Sequence, residues 1–194
     1  MRLARLLELR RTVRVIGFDD APFAKRRGAA VPLAGVVCAD TRFEGMLWGR
    51  ARRDGWNATD ALAAMLDGSK FRDQVSVVLL DGIAVGGFNV VDLARLHTRT
   101  GLHCVAVMRK VPDLAAMRRV IDRLPDPARR LARIARAGEI HQRAPFVFQV
   151  QGEDVEVTAK ALAHLTREGH VPEALRMAHL IGSAVMLGES GRRA

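Results

Sequence analysis

The chain has 194 residues, enough for one domain with a full hydrophobic core, and its 49% apolar and 27% charged residues exclude disordered and fibrous classes. Its 31 Lys+Arg, almost all arginine, against 21 Asp+Glu leave a formal charge of +10, and guanidinium groups that fork onto phosphate point to polyanionic partners. An arginine-favouring codon usage produces the same composition, so charge supports a nucleic-acid reading without founding it. The opening MRLARLLELRR lacks the apolar core of a signal peptide, and no later apolar run reaches membrane-spanning length. One cytoplasmic domain over residues 1–194, with no membrane contact, is the expectation.

In chain order, Val13 to Phe18, Leu33 to Ala39 and Phe43 to Trp48 read as three short strands. The gap at Asp40 to Arg42 is hairpin-short, so the second and third are antiparallel neighbours. Helix and strand then alternate: Ala58 to Leu66 helical, Val75 to Leu80 a strand, Val90 to Thr98 helical, His103 to Met108 a strand. The run Val75 to Leu80 is almost wholly apolar, as a parallel strand covered on both faces requires. Asp126-Pro127 opens a helix that stops at Gly138, with Leu131 and Ile134 on an apolar side and Arg129, Arg130, Arg133 and Arg136 on the other. Phe146 to Val150 is a last strand, followed by helices over Val155 to Arg167 and Glu173 to Leu187. Cys38 and Cys104 lie within apolar runs and read as buried thiols of a reducing compartment. The fold class is therefore α/β, a mixed sheet with antiparallel first strands, parallel later strands and helices on both faces, the order of ribonuclease-H-like folds.

Ligands of an open α/β sheet collect beyond the carboxyl ends of its strands. Asp19 closes the first strand in Ile16-Gly17-Phe18-Asp19, and Asp81 closes the central apolar strand. If those strands are neighbours the carboxylates meet, and a third acid, Asp60, sits in the first turn of the intervening helix. Crowded carboxylates resist ionisation unless a divalent cation neutralises them, which makes Mg²⁺, or Mn²⁺, the candidate cofactor. Each acid also has a plainer role: Asp60 three residues after Asn57 suits a helix start, and Asp19 and Asp81 both suit turns.

These segments resemble a protein family allied to endonuclease V. The resemblance is carried by Ile16-Gly17-Phe18-Asp19-Asp20-Ala21-Pro22-Phe23, Leu80-Asp81-Gly82-Ile83, Gly87-Phe88-Asn89-Val90-Val91-Asp92, Val105-Ala106-Val107-Met108-Arg109-Lys110, and Val171 to His179. It implies that Asp19 and Asp81 match two metal-binding aspartates and that Asp60 stands for a helix-borne glutamate. Lys110 would lie near the substrate phosphate, and Arg176 matches an arginine of the terminal Pro-Glu-x-x-Arg segment. Two departures accompany it. The histidine of endonuclease V falls on Gly152-Glu153, where Glu153 is either a fourth acid or a helix cap, and the Pro-Tyr-Ile-Pro wedge is missing. His179 fits a family motif and reads most simply as helix packing.

In the wedge's place stand Gly49 to Asn57, with Arg52, Arg53 and Trp56 suited to phosphates and to stacking on an unpaired base. The implied activity is a metal-dependent nuclease cutting RNA or DNA, single-stranded or locally unpaired, with little preference for inosine. A catalytically silent nucleic-acid-binding module and a basic protein that docks an acidic partner are the rival readings.

Overall fold

The computed structural model describes residues 3–26 and 28–191. A short helix, α1 (Leu3–Glu8), precedes an antiparallel meander of β1 (Arg14–Asp20), β2 (Ala30–Ala39) and β3 (Arg42–Arg52). Only Asp40 and Thr41 join β2 to β3, and Asp40 takes the positive φ of 54° that so tight a reversal needs. Next come α2 (Ala58–Asp67), β4 (Val77–Asp81), a small hairpin of β5 (Ala84–Val85) and β6 (Asn89–Val90), α3 (Leu93–Thr100) and β7 (His103–Met108). The chain continues through α4 (Leu114–Ile121), α5 (Pro127–Arg136), β8 (His141–Arg143), β9 (Phe146–Gln151), α6 (Val155–His164) and α7 (Glu173–Leu187). Seven strands form one mixed sheet in the order β3-β2-β1-β4-β7-β9-β8, with β1, β4 and β7 parallel.

The sheet separates two cores. One packs Ile16, Phe18, Leu80 and Cys104 against Leu62 and Leu66 of α2 and Leu96 of α3. The other packs Val15, Val36, Cys38 and Leu79 against Leu162 of α6 and Leu175 and Ala178 of α7. Alternation along β1 produces this division, since successive side chains point to opposite faces. Both cysteines are buried free thiols whose pKa burial raises, to about 11 for Cys38 and about 12 for Cys104. Among the described residues no helix is long and apolar enough to cross a membrane.

Three details depart from the sequence expectation. The helix expected over Val90 to Thr98 starts later, because Asp92 caps it by accepting from Arg95 N, and Asn89 and Val90 belong to β6. The last strand of the core sheet, β9, runs antiparallel to β7. Finally, α5 is turned over: Arg130 and Arg133 face the interior, and Leu131 and Ile134 line a surface cavity of about 620 Å³ with α4.

Candidate metal centre

The register of β1 against β4 pairs Phe18 with Leu80, so Asp19 and Asp81 follow at the same height at the carboxyl ends of adjacent parallel strands. Both point to the face covered by α7. That helix lies close on β1 because Gly17 offers no Cβ, and a methyl there would stand 2.6 Å from Ala174 C and 2.7 Å from Leu175 N. Gly182, one turn from the helix end, lets the same helix rest on Ala21. The close approach delivers His179, whose Nδ1 lies 2.9 Å from Asp19 Oδ2. One ligand atom each from Asp19, Asp81 and His179 lie within 4.8 Å of one another.

The electrostatics of this group are unfavourable in the chain alone. Asp19 is 8% exposed, and burial first, then the charges of Asp81 and Asp20, raise its pKa to about 7 against an ordinary 3.8. The His179 contact opposes that rise without cancelling it. Asp20 is raised as well, chiefly by burial, although its carboxylate accepts from Gly86 N in the loop after β4. The partial counter-charge comes from Arg109, whose Nη2 lies 3.3 Å from Asp81 Oδ2. Two carboxylates and an imidazole converging where one carboxylate is held near neutrality have the donor chemistry of a divalent-cation site.

The sequence profile of the family described as endonuclease dU matches residues 11–186. The chain belongs to that family. A UPF0215 protein of Methanothermobacter thermautotrophicus is 39% identical over 188 residues, covering 94% of this chain and 92% of its own. A solved protein of Archaeoglobus fulgidus superposes with a TM-score of 0.84 at 34% identity, over 89% of this chain and 98% of its own. Endonuclease V of Ciona intestinalis, solved in complex with a 24mer DNA containing an inosine followed by a ribo-adenosine, superposes at 0.53 with 15% identity, over 88% of this chain and 84% of its own. This last likeness concerns the fold, and it supports the ribonuclease-H-like order read from the sequence.

Within this family member, the remaining residues singled out in the sequence fall in different places. Asp60 does not join the cluster; it lies on the α2 surface, 2.7 Å from Arg95 and 3.0 Å from Arg99 of α3, and those cations hold it as a helix-to-helix ion pair. Lys110 is exposed just beyond β7, and its neighbour Arg109 is the base that touches the centre. Glu153 follows β9 at the opposite end of the sheet, 3.6 Å from His103 at the start of β7, so it is no fourth acid. The histidine His179, not Glu153, stands against Asp19. Its motif was visible in the sequence, but only the packing of α7 on Gly17 shows that it reaches Asp19.

The arginine helix changes most. Arg130 is 1% exposed and donates to the carbonyls of Asp54, Gly55, Phe88 and Pro125, while Arg133 donates to those of Trp56 and Val90. Arg129, Arg130 and Arg133 all lie over the Trp56 ring, 4.3 to 4.8 Å from its centroid, so guanidinium groups already occupy the half-buried indole where a base would stack. Arg136 pairs with Asp92 at 2.6 Å. Arg53 pairs with Asp54, and Arg176 clasps the buried Glu173 within the first turn of α7. Of the residues expected to meet nucleic acid, Arg52 keeps an exposed side chain without a partner.

Proposed function

We propose that the protein is a divalent-metal-dependent endonuclease that hydrolyses phosphodiester bonds of nucleic acid at the Asp19–Asp81–His179 centre. The observation that carries this reading is the convergence of those three ligand atoms within 4.8 Å at adjacent strand ends, where burial and then the charges of Asp81 and Asp20 raise the Asp19 carboxyl to about 7. The two carboxylates suit Mg²⁺, and the imidazole extends the set to the softer Mn²⁺.

When bound, such a cation supplies an activated water and neutralises charge developing on the phosphate. Asp19 and Asp81 orient the reacting group from β1 and β4, which the parallel register holds rigid. His179 would complete the donor set from α7, its ring held by the Nδ1 contact with Asp19, and Lys110 on the rim stabilises the phosphate from the solvent side. Asp20, next to Asp19, ties the β5–β6 turn to the end of β1 by accepting from Gly86 N. The family's description makes a deoxyuridine-containing oligonucleotide the first substrate to assay, beside inosine-containing and unmodified strands.

Unpaired strands are preferred in this reading, because the arginine-clasped segment from Arg52 to Asn57 offers no free aromatic wedge to prise a base from a duplex. The test compares cleavage of matched single-stranded and duplex RNA and DNA, each with and without one deoxyuridine or inosine, in Mg²⁺, Mn²⁺ and EDTA. Divalent-dependent cutting that Asp81→Asn abolishes supports the reading. Absence of cutting on every substrate, with no Mn²⁺-induced rise in melting temperature, overturns it.

A further inference from the structure

Several positive charges outside α5 are left without a partner among the described residues. Lys25, Arg26, Arg50, Arg52 and Lys110 are described residues whose side chains make no hydrogen bond or ion pair. Two of them share a strand with an exposed indole. In the sheet register Asp19 lies opposite Ala34, and Ala34 opposite Trp48, so Trp48 stands in the same rank as Asp19 and on the same face, two strand spacings away. That is about 10 Å between backbones. Arg50 and Arg52 continue that face of β3 toward the end of the sheet where the metal centre lies.

Trp48 differs from Trp56 in every respect that bears on binding. It is 40% exposed, no ring or cation among the described residues stacks on it, and α7 packs chiefly over β1 and β2. Met46 beside it is 37% exposed, so the strip reads Met46, Trp48, Arg50, Arg52: apolar below and cationic above. Lys25 and Arg26 stand in the β1–β2 connection, whose Ala29 carbonyl accepts from Arg53 N at the end of the strip.

We propose that Trp48, Arg50 and Arg52 form an accessory contact for an unpaired nucleic-acid strand, the indole stacking on a base and the guanidinium groups holding adjacent phosphates. Charge selects this occupant. A second copy docked on this strip would bring together two chains that each carry +10 and would leave the guanidinium groups of Arg50 and Arg52 without counter-charge of their own, whereas phosphates neutralise them. Helix α7 stands between the strip and the metal centre on that face, so the strip holds a flanking segment and not the bond being cut. The inference takes its substrate class from the nuclease reading, but it does not depend on the metal centre.

Binding is therefore measured in EDTA, by fluorescence anisotropy of a short labelled single strand. Trp48→Ala is expected to weaken affinity at least about fivefold, with Trp48→Phe recovering part of the loss and both melting as wild type does. Arg50→Ala should flatten the salt dependence of binding by about one counterion. In Trp56→Phe protein, where Trp48 is the remaining tryptophan, the strand is expected to quench the fluorescence. Unchanged affinity for Trp48→Ala overturns the proposal, as does unquenched emission, or a dimer in sedimentation that Trp48→Ala dissociates. A chain that binds through Trp48 but cuts nothing refutes the nuclease reading and leaves this contact standing. A chain that cuts normally while Trp48→Ala binds as wild type refutes the contact alone.

Discussion

Two clusters of like charge stand close to the same loops, and the fold treats them in opposite ways. The arginines of α5 are absorbed: carbonyls of Asp54, Gly55, Trp56, Phe88 and Val90, the Trp56 ring and Asp92 together accept what those guanidinium groups donate. The carboxylates at the ends of β1 and β4 are left with one half-exposed arginine and a histidine, and burial, with the charges of Asp81 and Asp20, pushes Asp19 to about 7. A buried charge that the chain satisfies is structural, whereas one that the chain leaves unsatisfied awaits something from outside.

The comparison breaks most decisively at Arg130. Arg130→Ala removes donors to several buried carbonyls and one of the cations over the Trp56 ring, so a loss of about 3 kcal/mol or more in unfolding free energy is expected, read by denaturant titration. A loss below about 1 kcal/mol, together with weakened nucleic-acid binding, would return this arginine to the surface role that its helix pattern suggested.

At the acidic cluster the expected effect falls on function. Asp81→Asn should lower divalent-dependent cleavage by at least about a hundredfold, with strand binding in EDTA unchanged or slightly tighter, because one ligand and one negative charge disappear at nearly constant volume. Retention of the wild-type rate would remove the centre from consideration.

Acidity sharpens the contrast further. The folded pKa of Asp19, about 7, lies above its ordinary 3.8, so this group contributes stability that is full below about pH 4 and lost as the pH rises through 7. In EDTA, wild type should therefore lose unfolding free energy relative to Asp19→Asn progressively between pH 5 and pH 8, by an amount of the order of a few kcal/mol. Added Mn²⁺ should close that gap most strongly at the alkaline end. A gap that is independent of pH would show that Asp19 ionises normally in the fold.

How much of this could be read from the sequence depends on whether the deciding contact was local. The hairpin-short turn at Asp40, the apolar run through Leu80 and the acids closing both strands are local patterns, and they placed Asp19 beside Asp81 correctly. The burial of Arg130 was out of reach, because most of its partners are backbone carbonyls 42 to 76 residues away in the chain, which carry no side-chain signature. The same holds for His179, whose contact with Asp19 spans 160 positions and depends on Gly17 letting α7 down onto the sheet. Trp48 and Trp56 are indistinguishable as letters, and their difference arises entirely from which of them α5 covers.

The smallest expected effect tests the residue whose assignment changed without any change in its surroundings' charge. Asp60 sits in the first turn of α2, where a carboxylate favours the helix dipole, and its Oδ1 bridges Arg95 and Arg99 across the α2–α3 contact. The three side chains are between 37% and 52% exposed, so water and salt screen the pairs and each contributes little. Asp60→Asn is expected to cost about 0.5 kcal/mol, less at high salt, and to leave the Mn²⁺-induced rise in melting temperature and the cleavage rate within about twofold of wild type. The comparison with Asp81→Asn matters more than the number itself, because both substitutions remove one carboxylate charge. Equal damage from the two would mean that α2 moves toward the strand ends when a cation binds, bringing Asp60 off its arginines and into the centre. Damage confined to Asp81→Asn would leave Asp60 as the tie between two helices that the ion pairs describe.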